Sequence, residues 1–188
     1  MTDPVTAARR LIGMVLVHEM GEGRTAGRIV ETEAYGGTFE DHEDDAFHAY
    51  KGKTARTEVL FGEGGHAYVY LIYGMYSCMN VVVSPEGVSA GVLIRAVEPL
   101  EGISLMKARR KGRKEKDLAR GPGRLCLAMG ISRKDNGADL VTGPLWIDDD
   151  GQGPFPVECS KRIHVDYARW GKEFPWRFTM KGSPWVSR

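Results

Sequence analysis

Apolar and polar residues alternate over Met14–Met20 and again through Arg24–Tyr35, with Gly21-Glu22-Gly23 between them. Period-two alternation on both sides of a glycine-rich turn predicts an antiparallel hairpin, which Gly36-Gly37 ends. Before it, residues 5–12 suit a short helix stopped by Gly13. A second hairpin is expected over Tyr68-Val69-Tyr70-Leu71-Ile72-Tyr73-Gly74-Met75-Tyr76-Ser77-Cys78-Met79-Asn80, thirteen uncharged residues with four tyrosines and two methionines. Gly74 allows the sharp bend, since glycine takes positive φ without steric cost. Tyr68 and Tyr70 fall on one face, Val69 and Leu71 on the other, and Tyr73 projects beside the bend.

Between the hairpins the pattern weakens. The segment to Asp45 suits a loop or a helix lead-in, and Ala46–Tyr50 a short helical turn. After the turn at Ser84-Pro85-Glu86-Gly87, the run from Ala90 to Glu98 predicts a buried strand. Leu100, Ile103 and Met106 share a helical face, predicting a helix over Pro99–Arg110. Gly121-Pro122-Gly123 leads into a helix over Arg124–Met129, whose N-terminal amides could meet an anion. Short strands are expected at Leu145-Trp146-Ile147, Arg162-Ile163-His164-Val165 and Trp176–Lys181. Strands without a βαβ rhythm predict an α+β fold: one compact domain over residues 1–188, a largely antiparallel sheet, peripheral helices and a protruding hairpin.

Composition adds limits. At 188 residues, 42% hydrophobic and 27% charged, the chain is expected to be a soluble globular protein with a proper core. No signal peptide, transit peptide or membrane span is read from it, and Cys78, Cys126 and Cys159 are expected as reduced thiols in a cytoplasmic setting. Their spacing suggests no metal site. The net charge of +1 hides seven acids and no Lys or Arg from Glu31 to Asp45, and nine bases against two acids from Lys107 to Arg124. Such runs suit a solvated face, but a basic cluster also supplies the salt-sensitive attraction that holds nucleic acid.

Three features carry candidate chemistry. Glu31, Glu33 and Tyr35 lie two apart on one strand face. Arg95 interrupts the apolar run Val92-Leu93-Ile94-Arg95-Ala96-Val97, where an unpaired charge is costly, so Glu31 or Glu33 is its expected partner. His48 follows the acidic stretch. No Gly-x-Ser-x-Gly or phosphate-loop pattern occurs.

In order along the chain stand Val30-Glu31-Thr32-Glu33-Ala34-Tyr35, the tyrosine hairpin through Asn80, Leu93-Ile94-Arg95-Ala96-Val97-Glu98-Pro99, Arg120-Gly121-Pro122-Gly123 with Leu125-Cys126, and Arg177–Ser187 with Gly182-Ser183-Pro184. Together they resemble the alkyladenine (3-methyladenine) DNA glycosylases of the monofunctional type over nearly the whole chain. The resemblance implies Glu33 as the general base that activates water and Arg95 as the residue that helps place it. It implies Tyr35 and Tyr70 as walls stacking on a flipped base, His48 at the base edge, and Leu93 and Asn80 as further pocket residues, Asn80 disfavouring guanine. Tyr73 would be inserted into the duplex, with Met75 beside it. Double-stranded DNA with damaged purines is the implied partner, with no cofactor, no metal, no membrane and a monomeric enzyme. Phe47, Thr57 and His164-Val165 depart from the family's usual residues. Two other classes are open to the same residues: a lesion-binding module without catalysis, and an N-glycosidase of free nucleosides. Tyr73 and the basic run argue against the second.

Overall fold

The structure is a computed structural model and describes residues 3–187; the single-domain reading over 1–188 extends to three residues outside them. Helix α1 (Pro4–Leu11) starts with Asp3 accepting from the amides of Val5 and Thr6 and Pro4 in its first turn, an ordinary start signal. It is followed by strands β1 (Val15–Met20) and β2 (Gly23–Tyr35), the minute ribbon β3 (Thr38–Phe39) and β4 (His42–Glu43), then β5 (Ala67–Ile72), β6 (Tyr76–Val82) and β7 (Gly91–Glu101). Helices α2 (Ile103–Arg109) and α3 (Pro122–Met129) come next, and β8 (Leu145–Asp148), β9 (Val157–Ser160) and β10 (Arg177–Met180) finish the chain.

Eight of these strands form one antiparallel sheet. Six run in the order β5-β6-β7-β2-β1-β8, and β10 pairs with β2 and β9. This is the expected α+β domain, with both predicted hairpins in it. One face buries Val69, Met79, Val92 and Ile94 with Leu125, Cys126 and Met129 of α3, and Ala8 of α1 joins the same core. Apolar burial at about 25 cal/mol per Å² is what holds these layers together. The Thr32 hydroxyl, on that side of β2, donates to Ala8 O at 2.9 Å and so satisfies the end of α1. The opposite face of the same strands carries the polar cleft.

Five local expectations need correction. The strand β7 runs on to Glu101, so the helix begins only at Ile103. Pro99, which has no N–H to give, sits beside a register irregularity between Ala26 and Gly27, and Gly102 turns the chain at φ 71° where any Cβ would lie 2.2 Å from Arg24 O. Leu100 consequently points to solvent rather than onto a helix face. Residues 162–165 form no strand, because Arg162 turns inward to buried Asp44 and His164 takes a left-handed φ of 61°. Ala46–Tyr50 is a run of turns rather than helix, since Asp44, through its side chain and its carbonyl, takes the amides of Ala46 and Phe47. The acidic segment contains the β3–β4 ribbon, and α3 starts two residues early at Pro122.

Candidate active site

The cleft is built by strand register. Arg177 pairs with Glu33 across β10 and β2, Glu33 with Leu93 across β2 and β7, Leu93 with Asn80 across β7 and β6, and Asn80 with Tyr68 across β6 and β5. Alternation brings Tyr35, Tyr70, Cys78 and Arg95 to the same face, each two residues from a member of that row. The result is a cleft of about 940 Å³ lined by Tyr35, His48, Tyr70, Asn80, Leu93 and Arg95 among others. Tyr73 stands at its rim.

At its base lies a buried charge cluster. Arg95 falls at a register irregularity of β7 between Glu31 and Thr32 and reaches both acids. Its Nε donates to Glu31 Oε1 at 2.9 Å and its Nη1 to Glu33 Oε2 at 3.2 Å. Both carboxylates are fully buried. Glu31 accepts four hydrogen bonds, from Arg95, from Arg177 Nε, and from the Ser187 amide and hydroxyl. Burial alone would raise its pKa, but the Arg95 charge and the bonds from Arg177 and Ser187 outweigh that and hold it below the usual carboxylate value. Glu33 accepts three: the Tyr35 hydroxyl at 2.9 Å, Arg95 Nη1, and the Ile163 amide at 2.8 Å. A carboxylate has about four acceptor positions; Glu31 takes four bonds, three of them on Oε1, whereas Glu33 takes three and its Oε1 accepts only the Ile163 amide. Glu33 lies immediately behind Tyr35, Arg95 and Ile163, all of which face the cleft.

Aromatic rings form the walls. Tyr68 and Tyr70 are stacked at 5.3 Å, and the His48 ring meets Tyr70 edge-on at 4.5 Å. The Tyr68 hydroxyl is hydrogen-bonded to His48 Nδ1 at 3.3 Å. Crowding by these rings, helped by the Arg56 charge, pushes the His48 pKa down to about 4, although one side of the residue is open to the cleft. Burial also raises the phenols of Tyr35 and Tyr70, so both stay protonated at neutral pH. Asn80 donates from Nδ2 to Tyr68 O at 3.3 Å, which orients its amide.

The hairpin tip stands out into solvent. Tyr73 and Gly74 both have positive φ, at 53° and 70°, and the Met75 amide returns to Ile72 O, as in a type I′ turn. A tyrosine in that conformation is strained, and its ring is 80% exposed, with Met75 70% exposed beside it. Gly123, at the start of α3, approaches Tyr76 so closely that a Cβ would sit 3.0 Å from the Tyr76 Cβ. Beyond it, Arg110, Arg113, Arg120 and Arg124 converge on the same side of the cleft. Burial and the neighbouring guanidiniums of Arg124 and Arg113 lower the pKa of Arg110, a mark of crowded positive charge.

The family model for methylpurine-DNA glycosylase matches residues 1–184. The chain belongs to that family. Its enzymes are DNA glycosylases of base-excision repair, which hydrolyse N-glycosyl bonds. Among relatives provisionally named 3-methyladenine DNA glycosylase, one from Methanocella arvoryzae is 51% identical over 183 residues, covering 96% of this chain and 89% of its own. One from Alkaliphilus oremlandii is 47% identical over 190 residues, covering 96% and 92%, and one from Bacillus cereus is 43% identical over 198, covering 99% and 95%.

All nine residues singled out from the sequence converge here: Glu33, Arg95, Tyr35, His48, Tyr70, Asn80 and Leu93 in or directly behind the cleft, and Tyr73 and Met75 at the hairpin tip. Sequence reasoning missed Ile163 and Tyr167 as parts of the wall and Arg162 behind it. No local signal marks them, since Arg162 follows Lys161 in a mixed polar and apolar stretch. Among the described residues no group of three His, Cys, Asp or Glu is arranged for a metal, and no helix is long and apolar enough to cross a membrane.

Proposed function

We propose that the protein extrudes alkylated or deaminated purines such as 3-methyladenine and hypoxanthine from duplex DNA and hydrolyses the N-glycosidic bond with a Glu33-activated water. An enzyme cannot reach the glycosidic bond of a stacked base, so the nucleotide must leave the helix at a cost of a few kcal/mol. Tyr73, exposed at the hairpin turn, fills the gap and offsets part of that cost. The flipped base enters between Tyr35 and the Tyr70–His48 wall. N-alkylation makes a purine cationic, and an aromatic face attracts a cation by about 0.5–2 kcal/mol. Arg110, Arg113 and Arg124 sit where the flanking phosphates would lie, supplying affinity that falls with salt.

The observation that carries this reading is the unequal loading of the two buried carboxylates. Glu33, with one acceptor position free, takes a proton from water as the water oxygen bonds to C1′. The C1′–N bond breaks and its electron pair leaves with the base: an alkylated purine departs neutral, and hypoxanthine departs as an anion that takes up, by way of solvent, the proton Glu33 gained. The products are the free base and an intact abasic site. Arg95 orients both Glu33 and the attacking water, and Glu31, with four hydrogen bonds, holds Arg95. We read the enzyme as a monomer acting in the compartment that contains the DNA.

The test is release of 3-methyladenine or hypoxanthine from duplex oligonucleotides, read as alkali-labile sites, for wild type, Glu33→Gln and Glu31→Gln. Loss of release in Glu33→Gln with lesion binding retained is the expected result. Full activity in that variant would remove Glu33 from the reaction, and binding without release by wild type on every lesion would favour a non-catalytic module.

A further inference from the structure

Arg162 has no reacting partner in this scheme, yet it packs against Tyr35 of the cleft wall and joins the segments on either side of that ring. Its side chain has no exposed surface and Asp44 only 1%. Nη1 and Nη2 grip the Asp44 carboxylate in a fork at 2.7 and 2.6 Å, and the same two nitrogens donate to Ala34 O and Gly171 O at 2.8 Å each. The guanidinium carbon lies 4.5 Å from the Tyr35 ring centre, with Trp176 at 5.4 Å and Phe174 at 5.6 Å. Gly171 permits this approach, because a Cβ there would lie 2.6 Å from Asp44 Oδ1 and 2.8 Å from Arg162 Nη2.

We propose that Arg162 is a positioning residue for base excision: it ties the 44–48 loop to the 162–165 segment and thereby aligns Glu33 and Tyr35 with the flipped base. This rests on the function proposed above. On one side, Asp44 receives the amides of Gly36 and Ala46, which fixes the loop that carries His48. On the other, the residue next to Arg162 is Ile163, whose amide donates to Glu33 Oε1 at 2.8 Å. A second tie crosses the same seam, from the Tyr167 hydroxyl to Ala46 O at 2.8 Å. Asp45 adds bonds to the amides of Arg169 and Gly171.

Stability alone does not account for this arrangement. A buried ion pair often contributes less than an apolar pair of the same volume. Arg162 also leaves its Nε buried without a partner, and His164, two residues on, takes a strained left-handed φ of 61°. Strain of that kind persists only where the surroundings over-determine the backbone, and it gathers at functional sites. What the fork supplies is direction. It holds two segments and a ring at fixed angles, which a single ammonium cannot do.

The experiment compares wild type, Arg162→Lys and Arg162→Gln in single-turnover release of hypoxanthine from duplex DNA, alongside DNA affinity and melting temperature. A displacement near 1 Å at a reacting centre costs about 100-fold in rate. Both variants should therefore lose about 100-fold in the rate constant of the folded fraction, with DNA affinity changed less than about threefold because buried Arg162 does not reach the duplex. A purely structural role would instead lower the reaction amplitude, through misfolded enzyme, and leave the rate constant intact. That result, or a full rate in Arg162→Lys, overturns the proposal. If neither variant folds, Tyr167→Phe cuts the exposed tie across the same seam. It should slow release about fivefold, the equivalent of the roughly 1 kcal/mol that one neutral hydrogen bond contributes, with the melting temperature moved by no more than about 4 °C, and an unchanged rate would count against the proposal. If wild type itself releases no base, the failure lies with the proposed function and not with Arg162.

Discussion

Replacing Glu31 by glutamine tests the proposed division between a supporting carboxylate and a reacting one. Glu31 is fully buried between the guanidiniums of Arg95 and Arg177, and it accepts four hydrogen bonds. An amide of the same shape keeps one acceptor oxygen and turns a donor toward donors. Two guanidiniums then face each other with one negative charge removed. Breaking one side of a buried, bonded ion pair costs about 3–5 kcal/mol. For a chain of this length each kcal/mol moves the melting midpoint by about 2–4 °C, so Glu31→Gln should melt roughly 6–20 °C lower. Glu33→Gln, with fewer partners and only the longer of the two Arg95 contacts, should lose less stability and nearly all base release.

The assay is thermal unfolding followed by circular dichroism, paired with single-turnover release well below both transitions. Acid adds a second readout. The Glu31 pKa is lowered in the folded protein, so its contribution is fully present above the ordinary glutamate value of 4.5 and is lost as pH falls through the folded value. Wild type should therefore lose stability progressively below about pH 4.5, and Glu31→Gln should lack that part of the decline. A Glu31→Gln variant that melts within about 2 °C of wild type would refute the assignment of Glu31 as the structural bridge.

Tyr73→Ala should reduce base release severalfold or more while shifting stability by less than about 0.5 kcal/mol, since the ring is mostly exposed; a melting curve and a release assay on the same preparation check both. Arg113→Ala and Arg124→Ala should each weaken binding to damaged and undamaged duplexes alike and reduce the slope of log affinity against log salt by about 1, as seen in a salt titration. His48 should remain neutral down to about pH 4, so its ring signals in an NMR titration should not move between pH 8 and 6; because protonation is disfavoured in the fold, its effect on stability appears only as pH drops below the ordinary value of 6.5. Leu60→Ala removes a fully buried side chain from the cluster of Ala49, Tyr68 and Val82 behind the aromatic wall and should cost about 2–5 kcal/mol, measured by urea unfolding.

The parts of the fold that could be read from the chain are those set by local alternation. Both hairpins follow from period two and a glycine turn, and the same period brings Tyr68, Tyr70, Glu33, Tyr35, Leu93 and Arg95 to one face once the strands are in register. Arg95 announced its partners because a charge in an apolar strand needs one. The helix read over Pro99–Arg110 failed because its first apolar position, Leu100, belongs to a strand extended past a proline, which the irregular pairing with β2 tolerates. Residues 162–165 failed for a different reason. Their conformation is set by Asp44, 118 positions earlier, and by Glu33, 130 positions earlier, and no spacing rule reaches that far.

Those long-range ties also bear on how one carboxylate can serve as a base while fully buried. A lone carboxylate taken out of water would be driven to protonate. Here Glu31 and Glu33 share Arg95, Glu31 also holds Arg177, and Asp44 is matched by Arg162 one wall away. Three acids face three arginines, so the cluster is balanced before any ligand arrives. In the proposed mechanism, a proton gained by Glu33 during hydrolysis unbalances the cluster by one positive charge, and passing it to solvent after the base departs restores the balance. Removing Arg177 would tilt the balance the other way: Arg177→Met should leave Glu31 with a single cationic partner, lower stability at neutral pH, and shrink the Glu31 part of the decline below about pH 4.5, without removing any group that faces the cleft. Unfolding midpoints for Arg177→Met that track wild type from neutral pH down through pH 4.5 would show that Arg177 is not what holds the Glu31 carboxyl below its ordinary value.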